Sequence, residues 1–397
     1  MKKIFNLFIF LLSFNLHADW MNFRGNQSNG SIGSKTSIDL TQISKNTWKV
    51  KLPGRGLSSP IVVKNKIFLT ACSGSKQEIL HVLCFNEHDG SLLWERKFKA
   101  TGRTICHEKT CVAAPTMASD GKNVIAQFSS NDVFCLDLSG DLIWLRGLTY
   151  DFPNAANGLG MSSSPLITSN ILVTQVENDA YSFTIGLSMK NGKTIWKKER
   201  PKAANWTSPV FFNSGNKERI VLQSKDGVDL IDPGNGKVLA SFSGGASTIP
   251  STTPTKDILL VPSNGMTALK LSKDGDLLKK IWNNNKLGPG TASPSISGNR
   301  FLVINKANVL TCAKVATGEI SWRLRIKGPT SGSPVSTKSH LYFFNEDGFG
   351  QAIKVDGNEG EVTSSIQLDE TILCTPAISN EGLYVRSDDH LWKFPAK

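Results

Sequence analysis

The chain is 397 residues long, with 20% charged and 39% hydrophobic side chains and a formal net charge of +12. That length exceeds the usual single domain, yet no Pro/Gly/Ser linker or run of charge divides it, which favours one large repeat domain over a string of modules. Basic residues are scattered and never interleave with aromatics as a patch, which argues against nucleic-acid binding.

The first eighteen residues read as a secretory signal: Lys2 and Lys3 are the basic start, Ile4 to Phe14 the apolar stretch, and Leu16-His17-Ala18 the cleavage site. The apolar stretch is too short to span a bilayer. Cleavage after Ala18 lowers the charge to about +10. No cysteine lies near the new terminus to carry a lipid. The expectation is a periplasmic or secreted protein with no transmembrane segment after cleavage, acting as a monomer, with residues 19–397 forming one domain.

From there a pattern recurs. Ser/Thr/Ala-Pro dipeptides end at Pro60, Pro115, Pro165, Pro209, Pro254, Pro294, Pro334 and Pro376, about 40 to 55 residues apart. Trp48-Lys-Val-Lys-Leu52 reads as a strand with no unit before it. The first complete unit has four short strands, at Ile61, Lys66 to Thr70, Ile79 to Phe85 and Ser91 to Trp94, separated by Lys64-Asn65, a loop around Gly74, and Asp89-Gly90. Similar units begin at Ser164 and Ser293. A Gly stands four residues before a Trp in Gly90/Trp94, Gly140/Trp144, Gly192/Trp196 and Gly318/Trp322. The glycine permits positive φ in a tight hairpin, and the tryptophan can lay its face on the neighbouring unit. Ala240 replaces Trp in the fourth unit, Trp282 arrives after extra residues in the fifth, and the seventh has lost it. The predicted fold is all-β: an eight-bladed β-propeller of four-stranded antiparallel blades, closed when the strand near 47–52 completes the last blade.

Seven cysteines include no adjacent pair. Cys106 and Cys111 flank a short segment and are candidates for a disulfide. Cys84, Cys135 and Cys312 precede Trp94, Trp144 and Trp322 by nine or ten residues, as expected of buried small residues.

The Gly-x-x-x-Trp hairpins and Ser-Pro blade openings resemble the pyrroloquinoline quinone (PQQ)-like repeat over nearly the whole mature chain. Asp19-Trp20-Met-Asn-Phe23-Arg24-Gly25 is similar to the Trp-x-x-Phe-Arg-Gly opening of exported, planctomycete-type bacterial members. The resemblance implies either a quinoprotein alcohol dehydrogenase, using PQQ with Ca²⁺, or a non-enzymatic assembly factor of the BamB type. Dehydrogenases of this class carry adjacent cysteines over the quinone, and this chain has none; Glu177-Asn178 offers two cation ligands without an identifiable third. The lipobox of the assembly factor is absent too.

Alternating strands place the loops that enter first strands, and those joining second to third strands, on one face. The two longest connections, Lys97 to Ala113 and Leu145 to Ser163, belong there. Candidate ligand residues on this face are Arg24, His107, Glu108, Asn157, Glu177, Asn178, Trp206, Gln223, Asn264, Lys306, Asn345, Glu346, Arg386 and Asp388. Cations could hold anionic groups, carboxylates could bind a metal, and Trp206 could stack on a ring. Arg24 could instead tack the N-terminal segment to the ring through an ion pair. His107-Glu108 lacks the second histidine of a metal motif, Ser73-x-x-Lys76 lacks its companions, and Gly192-Lys193-Thr194 is already a blade hairpin. The expected function is a non-enzymatic scaffold without a cofactor, binding a protein, glycan or envelope component. The alternatives are a PQQ-dependent dehydrogenase, with Glu177 as proton acceptor, and a polysaccharide-binding or polysaccharide-cleaving propeller.

Overall fold

Eight antiparallel sheets of four strands each form the protein in a computed structural model that describes residues 19–41, 47–155, 158–214, 217–272, 275 and 277–397. The signal expected from sequence at residues 1–18 lies outside the described residues. Blade one shows the pattern: Ile61–Val63, Lys66–Ser73, Ile79–Asn86 and Leu92–Lys99 pair in chain order. Its inner three strands are almost wholly buried between neighbouring blades, whereas the outermost alternates towards solvent. Lys64 and Asn65 take positive φ in the first hairpin, and Gly90 does so in the last.

The ring closes as a propeller through its N-terminal strand. Trp48–Lys51 pairs antiparallel with His390–Pro395, Trp48 opposite Lys393 and Lys51 opposite His390, so that strand becomes the outer edge of blade eight. Blade eight thereby gains its fourth strand and matches the other seven. Among the described residues no helix is long and apolar enough to cross a membrane.

One contact repeats between blades. Each outer tryptophan lies on the hairpin glycine of the next blade: a Cβ on Gly90 would come within 2.7 Å of Trp48, on Gly140 within 2.8 Å of Trp94, on Gly192 within 2.7 Å of Trp144 and on Gly236 within 2.6 Å of Trp196. Trp282 and Trp322 sit over Gly318 and Gly360 in the same way. Most of these indoles also donate Nε1–H to a carbonyl of that blade, Trp144 to Met189 at 2.8 Å and Trp196 to Pro233 at 2.8 Å. Across the strand pair, Cys84 faces Trp94, Cys135 faces Trp144 and Cys312 faces Trp322, each beside a register shift that makes room for the ring. All three thiols are buried; burial pushes Cys84 and Cys135 up to about 12 and Cys312 to about 11.

Residues 19–41 lie across the face opposite the long connections. Trp20 bridges Val62 of blade one, Ser119 N–H bonds Met21, Ile296 N–H bonds Asn29, Ser336 N–H bonds Gly30, and Lys397 N–H bonds Ser37. The segment thus touches blades around most of the ring and plugs its axis from below. Arg24 is its buried anchor: the guanidinium donates to Thr252 O at 3.1 Å, Thr253 Oγ1 at 2.7 Å and Pro294 O. Complete burial lowers the pKa of Arg24 to about 9. Its place is therefore on the axis, beneath the ring, and not on the loop-rich rim. Tacking the N-terminal segment down is what it does, through hydrogen bonds in place of an ion pair.

Candidate functional site: the axial funnel

A cavity of about 500 Å³ opens on the loop-rich face along the ring axis. Residues from all eight blade-to-blade connections line it, and Phe23 of the N-terminal plug is part of its lining. Its narrow girdle consists of Ser59, Thr116, Ser164, Ser208, Ser251, Ser293, Ser333 and Thr375. These hydroxyls are linked blade to blade: the N–H of each residue from Ser59 to Ser333 donates to the next hydroxyl oxygen, at 2.9 to 3.1 Å. An oxygen accepting one N–H keeps a hydroxyl hydrogen and a second lone pair. The girdle is thus rigid, neutral and able to bond a polar group on the axis.

Above it the wall turns apolar. Leu57, Leu159, Trp206, Ile249 and Leu373 line the mouth, with Leu159 40% and Ile249 46% exposed. Trp206 is held by Nε1–H to Gly160 O at 3.0 Å, so its ring is preset. Among the described lining residues the cationic side chains are Lys109 and, when protonated, His107. Lys109 reaches Glu346 of blade seven at 3.0 Å, and Ser331 also donates to Glu346 at 2.6 Å. Burial pushes the Glu346 carboxyl upwards, but these two bonds outweigh it and hold the group below its ordinary range. The long connections also brace one another, His107 N–H donating to Leu159 O at 3.0 Å.

Of the residues proposed from sequence, the structure brings His107 and Trp206 into the funnel and sets Glu346 beside it through Lys109. Glu108 is exposed on the loop, its carbonyl accepting from Arg55 at 2.8 Å. Asn157 lies outside the described residues. Glu177 is buried in an ion pair with Arg200 at 2.7 Å and accepts from Asn205 at 2.7 Å; burial leads the forces on it and keeps its pKa above the usual value. Asn178 is spent on its own turn, bonding Ala180, Tyr181 and Ser182. Gln223 ties blade four to the next connection through Ser247, Pro250 and Thr252. Asn345 organises its own turn and bonds Lys327 O at 3.0 Å. Asn264 lines a separate off-axis cavity, and Lys306 is exposed on the blade-six turn. Arg386 is buried behind the wall, donating to Ser58 Oγ at 3.1 Å and Thr70 O at 2.6 Å, and Asp388 pairs with Arg55 at 3.1 Å. Glu177, Asn178, Gln223, Asn345, Arg386 and Asp388 hold the scaffold together, which is why they are buried or already paired.

The suggested Cys106–Cys111 staple is a further difference. All seven cysteines are free thiols; Cys106 turns to Ser129 Oγ at 3.7 Å, while Cys111 is buried in the apolar cluster between blades one and two. The turn closed by Thr110 N–H to His107 O sends the two sulfurs to different neighbours.

Sequence reasoning missed the hydroxyl girdle, although its signal was present. Six of its members precede a proline, but Thr116 follows Pro115 and Ser251 stands three before Pro254. The repeating constraint is the hydroxyl, with proline fixing φ where no N–H is needed. Phe23, Lys109 and the aliphatic mouth carried no repeat signal.

The PQQ-like repeat family model described as outer membrane protein assembly factor BamB matches residues 39–158 and 267–363, more than half of the chain. An outer membrane protein assembly factor BamB of Alkalilimnicola ehrlichii is 25% identical over 226 residues, 55% of this chain and 52% of that protein. The chain thus matches about half the length of that curated relative. Among solved structures, BamB from Moraxella catarrhalis superposes with a TM-score of 0.64 at 14% identity, covering 88% of this chain and 96% of that one. A europium-containing methanol dehydrogenase gives 0.72 at 10% identity, covering 95% and 98%. The quinohemoprotein alcohol dehydrogenase from Comamonas testosteroni gives 0.69 at 12% identity, covering 95% and 80%. At such identities the structural likenesses show the fold alone.

Proposed function

The chain belongs to the PQQ-like repeat family whose model is described as outer membrane protein assembly factor BamB, and from that premise we propose that it is a non-enzymatic envelope scaffold whose axial funnel holds a protein partner of outer-membrane assembly. The observation that carries this reading is the funnel itself: a preset apolar mouth around Leu159, Trp206 and Ile249 over a neutral hydroxyl girdle. Such a surface suits an apolar side chain entering from a partner, with its backbone bonded by the hydroxyls below. Charge contributes little, since Lys109 is already paired with Glu346.

A quinone cofactor fits these residues poorly. PQQ is a planar carboxylate-bearing anion that calls for cations and a metal cage. Glu177 and Asn178, the nearest match in sequence to such a cage, are committed to Arg200, Asn205 and a local turn. Arg24 and Arg386 are sealed outside the funnel wall by their own acceptors. No catalytic step is therefore assigned to a bound quinone. The same neutral girdle gives no flanking pair of carboxylates for glycosidic cleavage.

The test combines two arms on the purified full chain. A photo-reactive residue at Ile249 is expected to cross-link to an outer-membrane assembly protein, and Trp206→Ala to reduce that yield at least ~10-fold, as for an aromatic anchor. Stoichiometric PQQ binding in the presence of Ca²⁺, accompanied by dye-linked alcohol oxidation, would instead establish the dehydrogenase.

A further inference from the structure

Lysines that are scattered along the sequence gather on one arc of the fold. Hairpins joining first to second strands, and third to fourth, lie on the face away from the funnel and form its lower rim. In blade three the last hairpin carries Lys190 and Lys193; in blade four the two hairpins carry Lys217 and Lys237; in blade five Lys279 and Lys280 begin the outer strand. All six are exposed, and among the described residues the ion pairs of these blades engage Lys197, Arg200 and Lys270 instead.

Contacts between blades make the arc continuous. Trp196 of blade three lies on Gly236, beside Lys237, and Glu218, beside Lys217, accepts hydroxyl bonds from Thr168 and Ser169 of the blade-three hairpin. A Cβ on Gly275 in the blade-five turn would stand 3.1 Å from Arg219 Nη2 of blade four. The acids here are already engaged: Glu218 by those hydroxyls, Asp257 by Lys270 at 2.9 Å and Asp232 by Gly234 N–H at 2.7 Å. By sequence the blade-five turn adds Lys273, Asp274 and Asp276. Elsewhere the rim is mixed: blade two sets Asp120, Asp137 and Asp141 against Lys122, and blade seven sets Asp356, Glu359 and Glu361 against Lys338 and Lys354. Apolar side chains also stand among the lysines of the arc, Ile195 48%, Leu277 55% and Ile281 40% exposed.

We propose that this arc seats the protein on an anionic phospholipid bilayer, the lysines over lipid phosphates and the three aliphatic side chains at the edge of the acyl layer. All six cations are lysines, whose long flexible stems follow a fluid surface without the fixed geometry of a guanidinium fork. Each ammonium held near an anionic leaflet raises partitioning about 5-fold, and salt screens that gain. A soluble polyanion would use the charges and leave the aliphatic groups in water, whereas a bilayer uses both. The funnel then opens away from the lipid, and the seating holds whatever the funnel receives.

The test is co-sedimentation of the full chain with phosphatidylethanolamine vesicles made with or without phosphatidylglycerol, at low and high salt. Residues 1–18 are common to every variant, so any lipid affinity of their own cancels in the comparison. Wild type should bind the phosphatidylglycerol vesicles and leave them at high salt. Lys193→Glu, Lys237→Glu and Lys280→Glu combined should lower partitioning at least ~100-fold, from about 5-fold per lysine. Lys122→Glu, Lys338→Glu and Lys354→Glu combined change the net charge equally on blades two and seven, and should cost less than ~5-fold. Ile195→Ser with Ile281→Ser should weaken vesicle binding and leave retention on heparin unchanged. Equal losses in the two triple variants, no binding of wild type to phosphatidylglycerol vesicles, or an isoleucine variant that binds them like wild type would overturn the assignment. All these positions are exposed, and circular dichroism checks that each variant folds. Should the first triple variant not fold, Lys193→Gln, Lys237→Gln and Lys280→Gln combined carry the same comparison.

Discussion

Replacing Trp144 probes the contact that builds the ring. Its indole is 8% exposed, lies against Gly192 of the next blade and donates Nε1–H to Met189 O at 2.8 Å. Trp144→Ala removes a large buried ring that a rigid blade edge cannot refill, a loss of about 3–5 kcal/mol. Trp144→Phe keeps most of the apolar volume but leaves the Met189 carbonyl unpaired, costing about 1–3 kcal/mol. Trp322 supplies the internal control. It is equally buried at 7% exposed and sits over Gly360, yet its Nε1 has no partner among the described residues. Trp322→Phe should therefore cost less than Trp144→Phe, by about the 1 kcal/mol of one net hydrogen bond. Urea unfolding followed by far-ultraviolet circular dichroism reads these differences, provided that each transition stays single. The reasoning fails if Trp144→Ala costs below about 1 kcal/mol, or if the two phenylalanine variants rank in the opposite order.

Three further outcomes follow from the same geometry. Glu177→Gln strips Arg200 of its closest buried partner and leaves it only Asp229, so it should lower stability by about 3 kcal/mol in the same unfolding assay while partner capture by the folded fraction persists. Ser208→Ala takes away the acceptor of Ser164 N–H, breaking one link of the girdle; an expected loss of about 1–3 kcal/mol, with faster amide exchange at Ser164, would be absent if the ring were incidental. Glu346 has a folded pKa below its ordinary value, so its contribution is complete above the unfolded pKa of about 4.3 and vanishes as pH falls through the folded value. The melting difference between wild type and Glu346→Gln should shrink on acidification across that window, and a difference that grows would refute the sign; since Lys109 is 61% exposed, the effect stays below about 1 kcal/mol.

How much of this was readable beforehand depends on whether a constraint repeats. Gly192 and Trp144 are visible because each blade poses the same packing problem and most blades solve it alike. The closing strand at Trp48–Lys51 was legible because it lacked a unit of its own. For Arg24 the tacking role could be read but its partners could not, because its acceptors lie 228 to 270 residues away and occur once. The same holds for Glu177 with Arg200, where distant segments meet in a buried ion pair. A polar residue on a loop is as readily a brace for the scaffold as a ligand contact, and sequence spacing does not separate the two. The hydroxyl girdle falls between these cases: it repeats in every blade, but proline, its more conspicuous neighbour, drew the register two residues off at Pro115.

The central claim is that the loop-rich funnel, and not the opposite face, receives a protein. Photo-reactive residues placed at Ile249, 46% exposed at the mouth, and at Lys122, exposed on the turn between the first two strands of blade two, compare the faces directly. The account predicts cross-links to one outer-membrane assembly protein from position 249, absent from position 122 and lost with Trp206→Ala. Equal capture from both positions, or capture from 122 alone, would contradict it.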